Sequence, residues 1–197
     1  MDPTVLGTKY DKIADWWRDR HDGSDYGLAQ IEQALGFAPT GGKALDVGCG
    51  AGGRVIRLLQ DRGFAVTGVD VSRAMVDLAR AAHPEHRFFH HDIATWQNDE
   101  PFDLIVAWDS LFHLPLALHP RVLTQLCDWL RPQGVLIYTF GNASGEHTDR
   151  WHDDTFYYSS IGIRQNLELL WGRGLEVLHL ELDQHPLNHV YAIAAKP

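Results

Sequence analysis

The chain has 197 residues, 45 % hydrophobic and 22 % charged, with a formal net charge of −9 when histidine is neutral. That composition fits one globular domain with a real core, residues 1–197. The acidic balance disfavours nonspecific nucleic-acid binding, which relies on Lys and Arg against phosphates, and apolar runs such as 134–140 are too short to span a bilayer. Two helical patterns come first, in 10–21 with Ile13, Trp16 and Trp17 on one core-facing side, and in 25–35, ending at Gly36. They make residues 1–38 a helical cap. After Thr40-Gly41-Gly42, strand and helix patterns alternate: strand 43–47, helix 53–61, strand 64–69, and a helix capped by Ser72. A short strand 86–90, an apolar strand 102–107, a helix opened by His119 and Pro120, and a strand 134–140 follow. A last helix carries Ile163, Leu167, Leu170 and Trp171. Strands 175–182 and 190–195 then close the chain. The seven residues 183–189 cannot hold a crossover helix, so this last pair is an antiparallel hairpin.

Alternation of this kind predicts an α/β fold: a seven-stranded, mostly parallel sheet with helices on both faces, N-terminal helices, and a C-terminal antiparallel hairpin. Met1-Asp2-Pro3-Thr4 has no basic region before an apolar run, so a cytoplasmic protein without a secretory signal is expected. Cys49 and Cys127 make neither a disulfide framework nor a metal-type pair.

The densest chemical signal is 44–53, Ala-Leu-Asp-Val-Gly-Cys-Gly-Ala-Gly-Gly. A strand enters it, a helix leaves it, and the glycines let a ligand approach main-chain N–H groups at the helix start. Gly48, Gly50 and Gly53 also satisfy the dinucleotide pattern, with Asp70 at the spacing of a ribose-binding acid. A nicotinamide-dependent oxidoreductase therefore stays open on these residues alone, as does a plain strand–helix turn.

Taken together, the motifs resemble the class I S-adenosylmethionine-dependent methyltransferases that act on small molecules. Asp46-x-Gly48-x-Gly50-x-Gly52 resembles the first motif of that family. The run 68–72 resembles the second, His91-Asp92-Ile93 the third, and 102–106 leading to Trp108-Asp109 the fourth; 130–136 resembles the turn into strand five. The resemblance implies S-adenosylmethionine as cofactor and a Rossmann-like methyltransferase fold. It implies that Gly48 and Gly50 approach the amino-acid end of the cofactor, and that Asp46 organises the loop by accepting its N–H groups. Asp70 would accept both ribose hydroxyls, Val71 would cover an adenine face, and Asp92 and Ile93 would read the adenine edge. Trp108 would lie near the methionine part, and Tyr10, in a segment with Trp16, Trp17 and Arg20, would close over the cofactor.

Methyl transfer from a sulfonium needs alignment more than acid–base help, so a base is optional. His113 and Asp109, beyond the carboxyl end of strand four, are the candidate catalytic groups. Residues 141–160 read as a long acceptor-side loop whose Trp151, Phe156, Tyr157 and Tyr158 wall a small-molecule pocket. Its Glu146, His147, Asp149, His152 and Asp153 form only a weak metal constellation, and no metal is expected. A catalytically silent S-adenosylmethionine-binding regulator and a protein-methylating enzyme also stay open; the oligomeric state is not legible.

Overall fold

The computed structural model describes residues 2–197, and a seven-stranded sheet runs through it in the order β3-β2-β1-β4-β5-β9-β8. Its strands are β1 (Gly42–Val47), β2 (Phe64–Asp70), β3 (Arg87–His90), β4 (Phe102–Ala107), β5 (Leu130–Gly141), β8 (Glu176–Glu181) and β9 (His189–Ala195). β1 through β5 pair in parallel, and β9 enters antiparallel between β5 and β8. β4 is buried at every position, as a strand covered on both faces must be. Asp103 ties three strand starts together: it pairs with Arg131 at 3.0 Å and accepts the Lys43 N–H at 2.8 Å.

Helices flank the sheet: α4 (Arg54–Asp61), α5 (Arg73–Ala82), α6 (His119–Trp129) and α7 (Gly162–Gly172). Two apolar cores result. Leu45, Ile105, Leu126 and Tyr138 belong to one, and Ile31, Ile56, Leu104 and Ile137 to the other. Ser72 caps α5 through its Oγ, which accepts the Met75 N–H. No helix among the described residues is long and apolar enough to cross a membrane.

The N-terminal pattern differs from expectation. Residues 10–21 do not form one helix; α1 (Pro3–Asp11) and α2 (Ala14–His21) are separate, with non-helical backbone at Ile13. The break turns Trp16 away from the core. It stands 42 % exposed, its ring 4.0 Å from that of His152. Ala14 takes the buried place instead. α3 (Leu28–Leu35) follows Gly27, which opens it in the left-handed region.

The acceptor-side loop is also corrected. Residues 141–160 hold a second, two-stranded antiparallel sheet, β6 (Ser144–Trp151) with β7 (Asp154–Ile161). His152 and Asp153 turn it, both at positive φ, the geometry that matches strand twist in a tight hairpin. β6 is exposed along nearly its whole length. β7 buries Phe156 and docks on the segment after β4, where His119 donates to Ser159 Oγ and that hydroxyl donates to the Leu114 carbonyl.

Candidate active site

The carboxyl ends of β1, β2 and β4 open onto one cleft. Gly48, Gly50, Asp70, Val71, Asp92, Ile93, Tyr10, Asp109 and His113 all border it. A second cavity shares its Gly48–Gly50 wall and Asp109, and adds Asp46, Trp108, Arg54 and Tyr26. Every cofactor-binding and catalytic candidate read from the sequence therefore borders one of two adjoining spaces, whereas Trp151, Phe156, Tyr157 and Tyr158, expected to wall the acceptor pocket, line neither.

The glycine turn is shaped by backbone needs. Gly48 has φ +75, and its N–H donates to the Val69 carbonyl at 2.8 Å. A Cβ there would sit 2.3 Å from Ser110 Cβ, so only glycine lets this turn lie against the segment after β4. Asp70 pins the turn from β2: its Oδ2 accepts the Gly50 N–H at 2.9 Å and its Oδ1 the Ser72 N–H at 2.8 Å. Burial pushes the Asp70 carboxyl above its usual range, and these N–H groups oppose that.

The loop-organising role expected of Asp46 thus falls to Asp70. Asp46 accepts no loop N–H among the described residues, because the turn donates to Val69 and Asp70 instead. Its carboxylate is 4 % exposed and borders the second cavity. Burial and the neighbouring Asp70 push it up to about 7, with Arg54 pulling the other way. A buried carboxyl without a partner suits a cationic ligand.

At the end of β3, Asp92 Oδ1 accepts the Ala94 N–H at 2.9 Å, the turn role open to any such acid, while its side chain also borders the cleft. The Ile93 N–H has no protein acceptor among the described residues. Trp108 Nε1 and Ser110 Oγ are likewise buried without partners. Such donors in a cavity wall point to a polar ligand.

His113 is fully engaged. Its Nδ1–H donates to the Tyr157 carbonyl at 2.8 Å, so its Nε2 is the acceptor for the Tyr10 hydroxyl, also at 2.8 Å. Burial lowers its pKa to about 4, which keeps the ring neutral at physiological pH. The contact links α1, the segment after β4 and β7. Asp109 has φ +52, held by Thr139, whose Oγ accepts the Asp109 N–H at 2.8 Å and donates to its Oδ1 at 3.2 Å.

Arg54, Tyr26, Asp183 and His189 were not legible as site residues, and Trp17 was expected to face the core. Trp17 and Arg54 border the cavities, and His189 contacts Asp109. One signal was available for His189: a hairpin antiparallel to β5 must start at the carboxyl end of β5, where the cleft lies. Among the described residues no three His, Cys, Asp or Glu side chains converge as a metal site. In β6, Glu146 accepts from the Tyr157 hydroxyl at 2.6 Å and His147 stacks on Tyr158.

Known proteins share this fold. A TehB-like S-adenosylmethionine-dependent methyltransferase from Corynebacterium glutamicum is 26 % identical, over 96 % of this chain and 99 % of its own, with TM-score 0.71. The 1,6-didemethyltoxoflavin-N1-methyltransferase of Burkholderia thailandensis, solved with S-adenosylhomocysteine, shares the fold at TM-score 0.72 and 20 % identity, over 98 % of this chain and 87 % of its own. Trans-aconitate 2-methyltransferase from Escherichia coli is 42 % identical over 92 residues, which is 46 % of this chain and 36 % of the relative. The chain thus matches just over a third of that relative's length. A family model described as a methyltransferase domain matches residues 16–180, most of the chain, and the chain belongs to that methyltransferase family.

Proposed function

We propose that the protein transfers a methyl group from S-adenosylmethionine to a small-molecule acceptor. The observation that carries this reading is the joining of Asp70 to the glycine turn, which brings a buried acid and bare main chain to one wall of the cleft, as a ribose-binding role for Asp70 requires. When bound, the cofactor supplies a methyl group on positively charged sulfur. Asp70 would hold the ribose, a charge-assisted contact. Val71 would cover the adenine, with Asp92 and the Ile93 N–H at its edge. Gly48, Gly50, Asp46 and Trp108 would take the amino-acid end, where the unpartnered Asp46 carboxyl suits an ammonium. The Tyr10 ring would roof the cleft, with its hydroxyl kept by His113.

The absence of any catalytic demand on His113 fits this chemistry, because alignment supplies most of the rate in such a displacement. Two of the relatives named above are named for small-molecule acceptors, trans-aconitate and 1,6-didemethyltoxoflavin, and the net charge of −9 disfavours nonspecific nucleic-acid binding. A cytoplasmic location is part of the same reading. Titration calorimetry with S-adenosylmethionine and with nicotinamide dinucleotides tests it. Binding of the first and not the second is expected; the reverse would refute the proposal. Transfer of a radiolabelled methyl group to an acceptor panel then separates an enzyme from a silent binding protein.

A further inference from the structure

Next to the cofactor cleft lies a partly buried row of three ionisable side chains drawn from three parts of the chain. His189 opens β9, and its backbone pairs with Gly141, the last residue of β5. That register sets its imidazole beside the end of β4. Nε2 lies 2.9 Å from Asp109 Oδ1, and Nδ1 lies 2.5 Å from Asp183 Oδ1. The side chains of His189 and Asp183 are only 14 % and 7 % exposed. Two ring nitrogens that both face carboxyl oxygens favour the doubly protonated ring, whose two N–H groups can each donate. Burial opposes that charge, and the two carboxylates outweigh it; the net effect raises the pKa of His189.

The row ends at the cavities. Asp109 Oδ1 is taken by His189 and Thr139, the Tyr26 hydroxyl also approaches the carboxyl, and Asp109 borders both spaces. Few other charges reach it. From α4, Arg54 faces Asp109 and Asp46; from the segment before α3, Tyr26 faces Asp109, its ring 6.5 Å from that of His189. Trp108 fills the remaining side.

We propose that Asp109 is the proton acceptor for an O–H or N–H methyl acceptor, with His189 and Asp183 as the positioning residues that hold it aimed at the acceptor. This deepens the methyltransferase reading and rests on it. The step balances. The acceptor's electron pair forms the bond to the methyl carbon, its proton passes to Asp109, and the broken carbon–sulfur pair returns to sulfur. The substrate class follows: phenols, alcohols or amines, whose X–H donates to Asp109. A carboxylate acceptor has no proton to give at neutral pH and would face an anion.

The first test needs no acceptor. In ¹⁵N-histidine NMR of the full chain, His189 should remain an imidazolium at pH 7, and Asp183→Asn should lower its midpoint by about one unit. A neutral ring at pH 7, or a midpoint that Asp183→Asn leaves in place, overturns the proposal. The second uses tritiated-methyl S-adenosylmethionine with a panel of phenols, amines and carboxylic acids. Labelled products should come from the phenols or amines. The acid limb of kcat should move up by about one pH unit in His189→Gln, with cofactor binding by calorimetry unchanged. An unmoved limb assigns His189 a merely structural role and overturns the proposal. Transfer confined to carboxylic acids overturns it while leaving the methyltransferase reading intact. Wild-type protein that binds no S-adenosylmethionine overturns both.

Discussion

The Tyr10 hydroxyl donates to His113 Nε2 across 103 residues of chain, joining the N-terminal helix to the segment that follows β4. The other His113 nitrogen is spent on the Tyr157 carbonyl, so the ring has no lone pair left for a substrate proton. It is a strut between the cap and the hairpin.

Tyr10→Phe should therefore act on stability and closure rather than on a proton-transfer step. It leaves a buried acceptor unmade, at a cost of about 1–3 kcal/mol. Thermal denaturation should show the loss, and a kcat against pH profile should keep its shape. The pH dependence of His113 has a definite sign. Its folded pKa of about 4 lies below the unfolded value, so the unfolded chain binds the proton first. Stability from this group is complete above about pH 6.5 and is lost as pH falls toward 4. Denaturant unfolding across that range, compared with His113→Asn, measures it.

Asp46 behaves oppositely. Its carboxyl is raised to about 7, so its contribution to stability declines as pH rises from the unfolded value of a carboxyl toward 7. A bound cation reverses that penalty by favouring the ionised form. Affinity for S-adenosylmethionine should climb as pH rises through about 7 and level off above it. Calorimetry in buffers of different ionisation heat should detect proton release on binding near pH 7. Asp46→Asn should abolish that release; unchanged release would assign the proton elsewhere.

What the sequence made legible was local. The strand–glycine–helix unit, the Ser72 cap and the terminal hairpin each announce themselves within about ten residues, through turn chemistry and apolar period. The β6–β7 hairpin did not, for a physical reason. β6 is exposed nearly throughout and carries no apolar alternation, and its turn uses His152 and Asp153 where glycine or asparagine would have been a signal. The helix break at Ile13 was hidden by an apolar spacing that looks continuous across it. The Asp109–His189 contact joins residues 80 apart, and only strand register brings them together.

The cap is clasped to the hairpin by charge. Lys9 and Lys12 of the N-terminal segment both reach Asp154, at 3.1 Å and 2.9 Å, and hold its carboxyl well below the usual range. Asp154 starts β7, directly after the turn that meets Trp16. Lys12 is exposed while Lys9 and Asp154 are largely covered, and pairs at such a rim weaken with salt. Asp154→Asn should raise amide hydrogen exchange across Pro3–Asp11 at low ionic strength, with little change in the exchange of β4. High salt should bring wild type to the same rates. Equal protection in wild type and variant would place the clasp in the Trp16–His152 and Tyr10–His113 contacts alone.

Asp70 is the residue on which the proposed cofactor site and the fold meet. Its two oxygens each hold one backbone N–H, at Gly50 and at Ser72, and each retains a further lone pair for a ligand hydroxyl. Asp70→Ala should weaken S-adenosylmethionine binding by about 1.5–3 kcal/mol, the worth of hydrogen bonds to a charged group. It should also loosen the turn, because Gly50 and Ser72 lose their acceptors. The two effects separate by measurement: the dissociation constant from calorimetry reports the first, and hydrogen exchange at Gly50 in the ligand-free protein reports the second. Asp70→Glu discriminates further, since it keeps the charge while displacing the oxygens from the turn. If binding falls in Asp70→Glu as far as in Asp70→Ala, placement rather than charge is what Asp70 supplies. An unchanged dissociation constant in Asp70→Ala would remove the ribose from this wall of the cleft.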